Sequence, residues 1–120
     1  MMDSSPLIRN IDLDDFTEAV LKPSHEKPVL LDFWADWCSP CRFIAPVLTQ
    51  IVEHYNGRVL LTKLEADEGD NMKLAGQYQV RGFPTIILFE NAQEVARFSS
   101  ARSFNFVEEF IEQNSRLLVD

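Results

Sequence analysis

Cysteine is scarce in this chain, with two residues in 120 and only two positions between them, so no disulfide framework holds it together. None is needed, because a chain of this length buries roughly two thirds of its unfolded surface on folding. Glycine is scarce too, at four residues. With 46% hydrophobic residues and nine phenylalanines, the composition is that of an ordinary globular protein and not of a disordered or low-complexity one. Positive charge is in deficit: 11 Lys and Arg stand against 19 Asp and Glu, a formal net charge of -8. Such a surface repels phosphate polyanions and argues against nucleic acid as a partner. No apolar run approaches the roughly 18 residues of a membrane span, so no membrane association is expected. The start, Met1-Met2-Asp3-Ser4-Ser5-Pro6, lacks a basic and then apolar leader. A reducing cytoplasm is the compartment this predicts. No repeat or linker divides the chain, and residues 1–120 are expected to form one domain.

Strands and helices alternate along the sequence. Leu7 to Asn10 reads as a short strand, and Asp12 offers an N-cap to a helix carrying Leu13, Phe16, Val20 and Leu21. Val29 to Ala35 is almost continuously apolar, as a central strand covered on both faces would be, which makes its single Asp32 an anomaly. Ser39 to Tyr55 carries Phe43, Val47, Leu48, Ile51, Val52 and Tyr55 at helical spacing, and Asn56-Gly57 supplies a left-handed stop. Pro46 inside that helix predicts a kink. Arg58 to Glu65 follows as a strand after a crossover of helix length, hence parallel to the strand before it. Asp70 to Tyr78 predicts a short helix capped by Asp70. Thr85 to Phe89 and Glu94 to Phe98 read as strands joined through Glu90 to Gln93, short enough for an antiparallel hairpin. A last helix from about Ser103 carries Val107, Phe110, Ile111, Leu117 and Leu118. The sum is a mixed sheet with helices on both faces.

Both cysteines fall in Trp37-Cys38-Ser39-Pro40-Cys41, at the junction of the apolar strand and the long helix. A C-x-x-C pair placed between strand and helix points to dithiol chemistry. Exchange requires a thiolate, and an ordinary Cys with pKa near 8.5 is mostly protonated at neutral pH. At a helix start Cys38 meets unpaired N–H groups and the positive end of the macrodipole, so it is the expected attacking sulfur. Cys41, one turn on, is the expected resolving thiol. Pro40 fits the first helical turn, having no N–H to satisfy. The competing reading, a zinc half-site, finds poor ligands: His25 precedes the pair and His54 lies thirteen residues beyond Cys41. A metal or iron-sulfur cluster shared between two copies would use the same pair.

The runs Asp32-Phe33-Trp34-Ala35-Asp36-Trp37-Cys38-Ser39-Pro40-Cys41, Ala45-Pro46 and Arg81-Gly82-Phe83-Pro84-Thr85 with Phe89 closely resemble the thioredoxin family, in the right order over nearly the whole chain. The resemblance implies an α/β thioredoxin fold, a five-stranded mixed sheet in order 1-3-2-4-5 with four helices on both faces. It implies reduction of protein disulfides through Cys38 and Cys41. Asp32, whose burial would raise its pKa, is implied as the base for Cys41, with Lys63 on the adjoining strand as its charge partner. The Phe83-Pro84 bond is implied to be cis and to lie against the dithiol, leaving the preceding backbone free for an extended substrate. Trp37, Ser39, Pro40, Phe83, Pro84 and Ser100 are the implied substrate contacts. Ser39, Ala92 and Ser100 replace glycines usual in the family, and Glu68 to Met72 is about two residues longer than the familiar pattern. The expected partners are disulfide-bearing proteins and a thioredoxin-reductase-type electron donor. The expected protein is a monomer with no metal and no bound cofactor. The alternative function is a chaperone or partner-binding module on the same scaffold, motivated by the acidic surface and the replaced glycines.

Overall fold

In the computed structural model, which describes residues 6–119, the apolar run forms β2 (Val29–Trp34), buried along nearly its whole length. It pairs in parallel with β3 (Leu60–Glu65) and antiparallel with β4 (Thr85–Glu90). The outer strands are β1 (Ile8–Ile11), parallel to β3, and β5 (Gln93–Ser99), antiparallel to β4. The order is therefore β1-β3-β2-β4-β5. Alternation along β2 sends Leu30 to one core and Val29, Leu31 and Phe33 to the other. The first core is closed by α1 (Ser39–Tyr55) and α3 (Phe104–Asn114), the second by the N-terminal helical segment and α2 (Met72–Gln77).

The N-terminal helix is less regular than its sequence predicts. It is a succession of a 3-10 turn at Leu13–Asp15, a π turn at Thr17–Leu21 and a second 3-10 turn at Pro23–His25. The Lys22 N–H reaches the Thr17 carbonyl at 2.9 Å, the wide bond of the π turn. Asp12 stands at its start, where its N–H donates to the Asp15 carboxylate at 3.0 Å. α1 runs through Pro46 and ends at Asn56 in the left-handed region, φ 48°, as its stop signal predicts.

Apart from shifts of one or two residues at the ends of β1, β2 and β3, three boundaries differ from expectation. α2 is preceded by Asn71 rather than capped by Asp70, because the buried Asn71 amide is engaged by the Leu13 N–H, Asp12 and the Glu65 carbonyl. The hairpin is tighter, with Asn91 and Ala92 alone between the strands, both left-handed at φ 54° and 63°. α3 starts where expected, the Ser103 hydroxyl accepting from the Phe106 N–H at 3.1 Å, but stops at Asn114. Leu117 and Leu118 follow in a non-helical tail that bends at Arg116 and Leu117, with Leu118 folded back onto the first core.

Candidate active site

β2 ends at Trp34, and a turn closed by the Cys38 N–H on the Ala35 carbonyl, 3.1 Å, delivers the chain to α1. Cys38 occupies the N-cap position with extended backbone, and its sulfur accepts from the Cys41 N–H at 3.2 Å. A sulfur so placed receives a backbone donor and the positive end of the helix together, both of which favour the thiolate. Cys38 and Cys41 are joined as a disulfide with Cα atoms 5.3 Å apart. They are almost equally buried, 3% and 4% exposed. Exposure does not distinguish them; position on the helix does, Cys38 at the N-cap and Cys41 in the first turn.

Asp32 shares the α1 face of the sheet with Leu30 and Trp34, by the alternation of β2. It is buried, and its Oδ1 has no hydrogen-bond partner. Desolvation pushes its carboxyl from 3.8 up to about 7, against the opposing pull of Lys63. Lys63 is its register partner on β3, yet the two form no ion pair; the ammonium lies 5.7 Å from the centre of the Trp34 ring. Trp34 in turn packs against the two cysteines and Ala35, as does Phe83. Thus β2 carries Asp32 two residues before Trp34, which packs on the disulfide, and β3 sets a cation in register with it.

The remaining sequence-predicted residues gather at the same end of the sheet. The Phe83–Pro84 bond is cis, Pro84 is buried, and the Phe83 ring meets Trp37 edge-to-face at 5.9 Å. The Pro84 carbonyl accepts from the Ser100 N–H at 3.2 Å, tying the end of β5 to this loop. Ser39 and Pro40 are exposed in the first turn of α1. One contact has no signature in the sequence: the Trp37 indole N–H donates to Asp67 at 2.5 Å, across 30 residues. The run of carboxylates after β3 is visible in the sequence, but which of them meets Trp37 depends on the fold. Among the described residues no group of three metal-ligating side chains occurs, and no helix is long and apolar enough to cross a membrane.

A cysteine pair bonded across a helix start, at the end of a central strand that carries a buried carboxyl, defines a thiol-disulfide oxidoreductase. Comparison with known proteins gives the lineage. The thioredoxin family model matches residues 8–113, and the chain belongs to the thioredoxin family. It is 42% identical over 99 residues to a thioredoxin of Acidithiobacillus ferridurans, covering 79% of this chain and 88% of that protein. A thioredoxin of Pseudomonas aeruginosa is 38% identical over 107 residues, 89% of this chain and 95% of its own. One from Synechocystis is 48% identical over 80 residues, 67% and 71% of the two chains.

Proposed function

We propose that this protein works as a reductase of protein disulfides, a monomeric single domain over residues 1–120 acting in the cytoplasm. Cys38 is the nucleophile. Its thiolate attacks one sulfur of a substrate disulfide, forming a mixed disulfide and expelling the other substrate sulfur as a thiolate. Cys41 then gives its proton to the Asp32 carboxylate and attacks the Cys38 sulfur, releasing the second substrate thiolate. Two electrons pass to the substrate, and the Cys38–Cys41 disulfide is left. A thioredoxin-reductase-type donor restores the dithiol. Lys63 moderates the Asp32 pKa through space. Trp37, Ser39, Pro40, Phe83, Pro84 and Ser100 form the docking rim, with the Phe83 backbone, which no backbone hydrogen bond engages among the described residues, open to an extended substrate strand.

The observation that carries this reading is the Cys38 sulfur at the N-cap of α1, 3.2 Å from the Cys41 N–H. The binding-module alternative has no observation of its own. Two measurements test the roles. Cys38→Ser is expected to abolish reduction of insulin, and alkylation of the reduced protein is expected to modify Cys38 first; retained turnover, or faster labelling of Cys41, overturns the assignment. Equilibration against glutathione tests the direction: a potential near about -270 mV, the figure established for thioredoxin, supports a reductase, and one near about -120 mV an oxidant.

A further inference from the structure

Around the disulfide lie two surface features that the exchange chemistry does not use. The first is apolar. Phe43 is 74% exposed and Trp37 68%, more than any other aromatic side chain described. On α1, Phe43 stands one turn after Ser39 on the outward face, while Cys41, Ile44 and Leu48 turn to the sheet. Its neighbour Arg42 folds back to the Asp36 carbonyl at 2.6 Å and leaves the Phe43 ring uncovered.

The second feature is electrostatic and follows from topology. All three parallel strands end at the disulfide side of the sheet, and each releases carboxylates there: Asp12 after β1, Asp36 after β2, and Asp67, Glu68 and Asp70 after Glu65 closes β3. Beside Trp34 a cleft of about 890 Å³ is lined by five carboxylates and a single cation, Lys63. Glu65 is held above its ordinary value by desolvation and by Glu68, Asp36, Asp67 and Asp12 around it. The Asp67–Trp37 hydrogen bond joins this crescent to the aromatic surface. The carboxylates at the ends of β1, β2 and β3 therefore set a negative potential beside Trp37 and draw cations to that side of the dithiol.

We propose that this surface selects protein substrates whose disulfide is flanked by Lys or Arg beside an apolar side chain. The apolar side chain covers Trp37, Phe83 and Phe43, and the cations meet Glu68 and compete for Asp70 with Lys73, 3.6 Å away, and for Asp36 with Arg42, 4.0 Å away. The inference rests on the reductase reading above and names the substrate class of that same site. The carboxylates also repel segments rich in Asp and Glu, so selection works by exclusion as well as by attraction.

The experiment uses three synthetic disulfide peptides, alike in a Leu beside one cysteine and differing only in Lys, Gln or Glu flanks, with dithiothreitol as electron source. At low salt the full chain is expected to reduce the Lys peptide with a kcat/KM about 10- to 100-fold above that of the Glu peptide. The ratio collapses as salt is raised toward about 0.5 M, where the screening length falls to a few ångströms. Glu68→Gln with Asp70→Asn shrinks the ratio, and Phe43→Ser raises KM for the Lys peptide roughly fivefold. Equal rates for the three peptides, or a preference indifferent to salt, overturn the inference and leave the reductase reading standing. Failure to reduce even the Gln peptide overturns the reductase reading itself.

Discussion

Asp32 in β2 and Glu90 at the end of β4 are buried almost alike, 1% and 4% exposed, on neighbouring central strands. Their surroundings differ. Glu90, at the end of the sheet away from the disulfide, has both oxygens occupied: Oε1 accepts from the Arg116 N–H at 2.8 Å and Oε2 from the Ser115 hydroxyl. Asp32, near the disulfide, has an oxygen with no donor at all. A buried carboxylate supplied with donors is a fastening, here holding the tail after α3. One deprived of them is costly as an anion and therefore ready to hold a proton near neutrality.

The largest effect should come from breaking the Asp32 side of this contrast. The folded carboxyl titrates at about 7 against 3.8 when unexposed to burial, so the folded state holds a proton that the unfolded state has lost between those values. Stability should fall as pH rises through that window, by about 4 kcal/mol in all, and the penalty is absent below it. Asp32→Asn should remove this contribution, making the protein more stable than wild type at pH 8 but not at pH 4, while slowing release of substrate from the mixed disulfide. Urea melts at the two pH values, with single-turnover kinetics, check both; a wild-type stability that is flat from pH 4 to 8 would contradict the poised carboxyl. Glu90→Ala should do the reverse, costing about 2 kcal/mol with kcat unchanged, since it strips hydrogen bonds to a charged group far from the sulfurs.

Smaller changes sharpen the same contrast between the two ends. Ala92 and Ser100 both sit in the left-handed region, at φ 63° and 77°, one in the hairpin turn and one beside Pro84. Glycine at either position should stabilise by about 1 kcal/mol, read as a shift in the urea midpoint. Ala92→Gly should leave disulfide reduction unchanged. Ser100→Gly should alter the KM for protein substrates as well, because Ser100 is hydrogen-bonded to the Pro84 loop. Equal kinetic effects from the two would mean that the rim does not end where it is proposed to.

Much of this was legible in the sequence because it rests on local pattern. The apolar run of β2, the helical spacing after Cys41 and the Asn56-Gly57 stop fix the central β-α-β unit, and the anomaly of Asp32 within that run marked it for chemistry. What pattern could not reveal are pairings across long loops. Nothing near Asn114 announces the end of α3; the helix stops because Ser115 and Arg116 turn to Glu90, 25 and 26 residues earlier. Asn71 replaces Asp70 at α2 because its amide reaches Leu13, 58 residues away. Phe43 counted as a core position by spacing, and the structure leaves it bare. Period 3.6 identifies a face, but which residues at its margin find a neighbour depends on where the sheet ends.

The order β1-β3-β2-β4-β5 also has a consequence for the newborn chain. β2 lies at the centre, yet the residues that flank it on one side, Thr85–Glu90, are made more than fifty positions after it. At a synthesis rate of about 5–20 residues per second, its apolar strand waits roughly 3–10 s on the ribosome with one row of N–H and C=O groups unpaired. During that interval the centre of the mature sheet is its edge, open to association with other nascent chains, and the arrival of β4 ends the exposure.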